Sequence, residues 1–292
     1  MLISQDWITR LLDNAGNSFD VDAQTLDTGF VRVGFETEGY AAIPEPTGPL
    51  VIARVEQIEE LTGFKKPIRY CQVNVGDANG TGELQGIICG ARNFALNDLV
   101  VVSLPGAVLP GGFEISARKT YDHISNGMMA SEAELGLTTK SDGIIVLPEG
   151  AGEPGQDARE VLGGFDDTVF EVNVTPDRGY ALSARGLGRE VASAFGLEYK
   201  DVAEEPRISG VDLSAVPEAT GDVLPVTVEE STKAVRFGVR KVEGIDPAAP
   251  TPFWMKRALL LSGVRSVNAA TDVTNYVMLL LGQPMHAFDA EK

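Results

Sequence analysis

The chain has 292 residues, 43% of them hydrophobic and 23% charged, the proportions of a globular protein of two or three domains. Twenty-four Lys and Arg against 42 Asp and Glu leave a formal charge of −18. That excludes a general nucleic-acid coat or a membrane-surface binder, and any RNA contact has to be local or shared with a partner.

No apolar run reaches the ~18 residues of a membrane span. The start carries Asp6 and Asp13 and lacks a basic leader, so it does not read as a signal peptide. Two cysteines and two histidines make no zinc framework. Cys71 and Cys89 lie in apolar runs and read as buried, reduced thiols of a cytoplasmic protein.

Residues 1–40 read as short helices. Ser4 caps a turn whose Trp7, Ile8, Leu11 and Leu12 share one face, and Gly16 stands where a left-handed residue ends a helix. The piece is too small to fold alone. From residue 51 the period changes to two. VIARVEQI, YCQVNVG, LQGIICGA and LVVVSL are strand candidates, with Cys71, Val73 and Val75 on one face and Gln72 and Asn74 on the other. Turn residues separate them, including Gly76-Asp77 and Asn79-Gly80. Such spacing predicts a small closed barrel over residues 41–149, with a β-sandwich as the alternative on period alone.

TVFEVNVTP then reads as a strand stopped by Pro176. ALSARGLGREVASAFG reads as a helix with Leu187, Val191, Ala194 and Phe195 on one face and Gly196 past its end. The barrel is therefore expected as an insertion in a small α/β domain whose halves are residues 1–40 and 150–200. The small residues Ala184–Gly188 read as close helix packing. Residues 201–232 hold eight acidic residues and one basic, an acidic linker (201–222) leading into a strand at Leu224, Val226 and Val228.

VRFGVRKVEG predicts a further strand through Val235, Phe237 and Val239. PFWMKRALLLSGVR predicts a helix with Pro252 near its first turn. TDVTNYVMLLLGQPMHAFD predicts another, capped at Thr271 or Asp272, running through Val273, Val277 and Leu281 and stopped by Gly282 with Pro284 beyond. The sequence ends ten residues after Gly282, so it reads as a fragment of a longer chain.

Motifs for phosphate binding, zinc hydrolysis and a serine nucleophile are absent from the sequence. His286 follows a Gly-Gln-Pro turn beyond a helix carrying Thr274 and Asn275. Hydroxyl, amide and imidazole together can hold a polar ligand or a water; a histidine capping the helix end is the plainer alternative. Arg118, Lys119, Tyr121 and His123 form a small basic and aromatic patch. Residues 50–137 hold seven basic and ten acidic residues, so a solvated loop is the alternative there.

The run Cys89-Gly90-Ala91-Arg92-Asn93, then Leu104-Pro105-Gly106-Ala107, then Ser125-Asn126-Gly127-Met128 with Ser131-Glu132 and Glu134-Leu135-Gly136 resembles the tRNA-binding OB-type barrel of synthetase-associated proteins. VNVTPDRGYALSARGLGREVA and TDVTNYVMLLLGQPMHAFD resemble segments of bacterial phenylalanine–tRNA ligase β subunits. With the barrel first, the order is specific to that family, and the resemblance covers essentially the whole chain.

The resemblance implies an α+β multidomain chain: an OB-type barrel inserted in a small α/β domain, followed by the first part (223–292) of an α/β editing domain. It implies an α2β2 enzyme that joins phenylalanine to tRNA(Phe) using ATP and Mg2+. Adenylation then lies on the α subunit, with no catalytic residue for that step and no metal ligand on this chain. The editing domain removes mischarged tyrosine, and its pocket falls on Thr274, Asn275 and His286. An acidic pocket residue of the family lies further along, so the fragment alone is expected to edit nothing. Arg92, Asn93, Arg118 and Lys119 are the tRNA-binding candidates.

The chain departs from the family pattern at Thr62-Gly63, where His-Pro is usual, at Asp177, where Asn is usual, and at Tyr180, where Asp is common. The alternatives are a stand-alone tRNA-binding barrel and a deacylase acting in trans.

Overall fold

The computed structural model describes residues 1–203, 226–233 and 237–291. The chain opens with β1 (Leu2–Ser4), α1 (Gln5–Asp13), α2 (Ala23–Arg32) and β2 (Glu36–Ala42). Ser4 Oγ accepts from the Trp7 N–H and caps α1 as expected. At nine residues α1 is shorter than a helix that holds in water by itself. Burial of Trp7, Ile8, Leu11 and Leu12 sustains it, each such side chain contributing roughly 1.5–3 kcal/mol.

The barrel follows, with β3 (Leu50–Leu61), β4 (Ile68–Asn74), β5 (Gln85–Cys89), β6 (Leu99–Ser103), β7 (Val108–Leu109), β8 (Phe113–Glu114), β9 (Arg118–Thr120), β10 (His123–Ser125), β11 (Met128–Met129) and β12 (Val146–Leu147). Its main sheet runs β11-β6-β3-β4-β5, all neighbours antiparallel, with β12 also on β6. A bulge between Val55 and Gln57 bends β3, so its first half pairs with β6 and its second with β4. Residues 125–129 nearly close the barrel: the Asn126 N–H donates to the Gly86 carbonyl at 2.8 Å, and Met128 pairs with Ser103.

Val51, Ala53, Val55, Cys71, Val73 and Ile87 fill the interior. The opposite faces of β3 and β6 carry Leu50, Ile52, Leu99 and Val101 under a second apolar layer. Both faces of β6 are thus buried, which is why LVVVS lacks a polar alternation. Both thiols are free and buried, and burial raises both, Cys71 to about 12, which disfavours the reactive thiolate.

After α3 (Ala158–Val161), β13 (Thr168–Asn173) pairs with β1 on one side and β2 on the other, before α4 (Ala184–Phe195). Strands β1 and β2 are missing from the helical reading of residues 1–40. The first is only three residues long, and β2 is mostly exposed, with no buried alternation to betray it. Close packing at Ala184–Gly188 is observed: a Cβ on Gly186 would lie 2.1 Å from the Tyr180 carbonyl oxygen. Gly196 ends α4 in the left-handed conformation.

The last helices are α5 (Phe253–Leu261) and α6 (Ala269–Leu281). Helix α5 sits at the junction, sending Phe253 and Leu261 into the barrel's outer layer and Ala258 into the small domain. Lys256 pairs with the buried Glu132 of the barrel. Its neighbour Arg257 reaches Asp167 at 3.3 Å, both side chains being buried. On α6, Tyr276 stacks on Trp7 at 5.3 Å.

Three expectations are corrected. The cap of α6 is Asn268, whose Oδ1 accepts from the Thr271 N–H, and not Thr271 or Asp272. Phe237 and Val239 lie in coil and are exposed, and so are Val226 and Val228. A strand needs a neighbour for its N–H and C=O groups, and none of the described strands pairs with residues 226–233 or 237–245. Leu224, Val235 and residues 204–222 of the acidic linker lie outside the described residues.

Burial raises the Asp167 carboxyl above its ordinary value, partly offset by the Asp6 N–H and Arg257. A carboxyl with a raised folded-state pKa adds stability below its unfolded value and loses it as pH rises through the folded one. In urea titrations the stability of the wild type relative to Asp167→Asn is therefore expected to increase as pH falls from 7 toward 4. Arg257→Met, which strands the buried carboxylate, is expected to cost about 3 kcal/mol at pH 7.

Candidate functional site

Thr274 and Asn275 stand on α6, five and six residues into the helix. Thr274 is buried and its Oγ1 donates to the Thr271 carbonyl at 2.7 Å, so the lone pairs of the hydroxyl are left to accept. Asn275 is half-buried. The start of α6 is fixed by Asp272, which the sequence offered only as a cap. Its carboxylate is fully buried and accepts from Thr251 Oγ1, Ser266 Oγ at 2.6 Å and the Val267 N–H at 2.9 Å. It ties the segment before α5, the turn after it and the first turn of α6 into one unit.

His286 lies beyond Gly282 in exposed coil, its ring 6.1 Å from that of Phe288. Thr274 is eight residues, roughly 12 Å of helix, before Gly282. No hydrogen bond or ring contact among the described residues joins His286 to Thr274 or Asn275. A cavity of about 330 Å³ lies nearby, between the barrel (Val146, Pro148) and Thr251, Lys256, Ser266 and Asn268; none of the three residues lines it.

The barrel candidates divide in two. Arg92 pairs with Glu60, which also takes Arg69 at 2.9 Å. The two guanidiniums, Arg92 first, hold the Glu60 carboxyl below its ordinary value. Asn93 is a clamp: its amide donates to the Ile144 carbonyl at 2.8 Å and accepts from the Ile144 N–H at 3.1 Å. Arg118 and Lys119 instead lie exposed on the β9–β10 hairpin. The pairing partners of Arg92 and Asn93 are far away in sequence, so no local pattern announces them. Arg178, beside the substituted Asp177, donates to the Val33 carbonyl at 2.6 Å and covers Phe35, a packing role. Tyr180 Oη donates to Glu190 at 2.8 Å.

Among the described residues no three His, Cys, Asp or Glu are grouped to hold a metal ion, and no helix is long and apolar enough to cross a membrane.

A nearly closed antiparallel barrel followed by the α5–α6 unit defines the class, an OB-type barrel joined to a B3/4-type domain. Two family models agree: a putative tRNA binding domain over residues 50–157 and a B3/4 domain over residues 233–292. The phenylalanine–tRNA ligase beta subunit of Corynebacterium diphtheriae is 67% identical over 99% of this chain and 35% of its own length. The same subunit of Nocardia farcinica is 53% identical over all of this chain and 34% of its own length. That of Mycobacterium leprae is 47% identical, again over all of this chain and 34% of its own. The chain matches phenylalanine–tRNA ligase β subunits along its whole length and spans about a third of the length of these relatives.

Proposed function

We propose that this chain is part of the β subunit of an enzyme that attaches phenylalanine to tRNA(Phe) with ATP and Mg2+, working with an α subunit as α2β2 in the cytoplasm. The observation that carries the reading is similarity along the whole chain, at 67% identity. The barrel and the B3/4 match also fall in the expected order. That similarity favours the synthetase over a stand-alone barrel or a separate deacylase. The described residues supply neither a metal cluster nor a phosphate loop, so no step through ATP or Mg2+ is assigned to them. We take the chain to divide into 1–40 with 150–200, the barrel at 41–149, a linker at 201–222 and an editing part from 223.

In this reading Thr274, Asn275 and His286 belong to the pocket that hydrolyses tyrosine mischarged onto the tRNA. Such a pocket must recognise one hydroxyl, and fixed polar groups do that far better than an apolar wall. Thr274 offers an acceptor on a turn held by Asp272, suited to a tyrosine O–H. Asn275 adds a donor and an acceptor, and the role we assign to His286 is to orient the water or assist its proton transfer. The ester's carbonyl oxygen, which becomes negative in the transition state, needs donors. On the barrel, Arg118 and Lys119 face the RNA, while Arg92 and Asn93 hold the loop they stand on.

The test uses the longer β subunit that contains this segment, purified with its α subunit. Deacylation of tyrosyl-tRNA(Phe) is followed for wild type, His286→Ala and Thr274→Ala. Each variant is expected to be slowed at least ~10-fold, about 1.4 kcal/mol of transition-state stabilisation. Wild-type rates in both would remove these residues from the pocket.

A further inference from the structure

We propose that the corner of the barrel where the loop of residues 62–67 meets the β9–β10 hairpin is a docking platform for unpaired RNA nucleotides. The proposal rests on the reading of the barrel as RNA-binding and names the surface and the form of RNA. In the sequence the two segments are more than fifty residues apart, and neither is striking alone. The fold brings them together: the rings of Phe64 and Tyr121 meet edge to face at 4.6 Å, 45% and 38% exposed.

Charge accumulates there against the trend of the molecule. Lys65, Lys66, Arg118 and Lys119 are all exposed, and none is paired with a carboxylate among the described residues. Asp122 is the one acid of the two segments, in a chain of net charge −18. Nearby Arg69 and Arg92 share the single carboxylate of Glu60, which offsets one of their two charges. The corner is therefore a local positive site on an acidic body, the only form of RNA contact the overall charge allows.

The rings are held for contact. The two-residue turn of the hairpin, Tyr121 and Asp122, has φ of 50° and 63°, a corner that favours Asn-Gly and is strained for a bulky aromatic. Strain of this kind gathers at ligand clamps, and here the turn presents the Tyr121 ring beside Phe64. Behind it, His123 lies tilted against the Tyr70 ring at 4.1 Å. Tyr70 can lie there because residue 86 is glycine: a Cβ would come 2.3 Å from the Tyr70 hydroxyl. Ser125 Oγ anchors the hairpin by accepting the Ile88 N–H at 3.0 Å. Exposed rings flanked by exposed cations, of which Arg118 also lies over the Phe113 ring at 5.3 Å, suit bases that stack and phosphates that follow the charge. A duplex hides its base faces and would use the charge alone.

The test is fluorescence anisotropy on the 292-residue chain, with a labelled single-stranded oligouridine RNA of about twelve nucleotides and a blunt RNA duplex of similar length. Tyr121→Gly removes the ring and suits the positive φ, so the hairpin is retained; circular dichroism checks the fold. The single strand is expected to bind the wild type at least ~5-fold tighter than the duplex. Tyr121→Gly is expected to weaken single-strand binding at least ~5-fold and leave duplex binding unchanged. The double change Lys65→Ala with Lys66→Ala is expected to weaken both and to lower the salt slope for the single strand by about 1.4. If the wild type binds RNA and both variants match it, the platform is wrong and the RNA-binding reading of the barrel stands. If the wild type binds neither probe, both fall.

Discussion

Strand β13 is the constraint on which the rest depends. It lies between two strands taken from the first 42 residues, with Ile3 opposite Phe170 and Tyr40 opposite the same residue on the other side. Once this sheet forms, everything between β2 and β13 must leave and return at one edge, which makes the barrel an excursion. The pairing also completes the core of α1, α2 and α4, since Phe170 and Val172 are fully buried beneath them. Neither half could bury these side chains alone. Non-local pairing of this kind is slow to form, so the barrel is expected to fold first on its nearer contacts.

Asp167, immediately before β13, links that sheet to the last helices. It accepts from the Asp6 and Thr168 N–H groups and pairs with Arg257. A buried ion pair adds little net stability over apolar packing, but a mispaired one is costly. Its effect is to fix the seat of α5. Lys256 and Glu132 repeat the device toward the barrel. The two neighbouring cations on one helix thus reach one acid in each part, and α6, with Thr274 and Asn275, follows from where α5 rests. Thr274, Asn275 and the corner of the barrel proposed to face RNA are in this way parts of one frame.

Much of this was legible in the sequence because local chemistry and tertiary context agree. The Ser4 cap, the Cys71–Val75 alternation and Gly196 each carry a local signature that the fold keeps. The insertion was visible as a change of period. Other features had no local signature. The exposed β2 shows no buried face; Asn268 caps α6 because Asp272 is drawn inward by Thr251 and Ser266. The alternation of Phe237 and Val239 could not form a strand without a neighbour. Of the candidate site, the residue types were legible and their surroundings were not: the bonds that occupy Arg92 and Asn93, and the meeting of Phe64 with Tyr121, come from distant segments.

The most direct measurement is aminoacylation by the longer β subunit containing this chain, with and without its α subunit, using tRNA(Phe), ATP and each of phenylalanine and tyrosine. Stable charging with phenylalanine by the two subunits together, and by neither alone, is the expected result. No charging by the pair, or charging by the β subunit alone, would contradict the assignment of this chain to a phenylalanine–tRNA ligase.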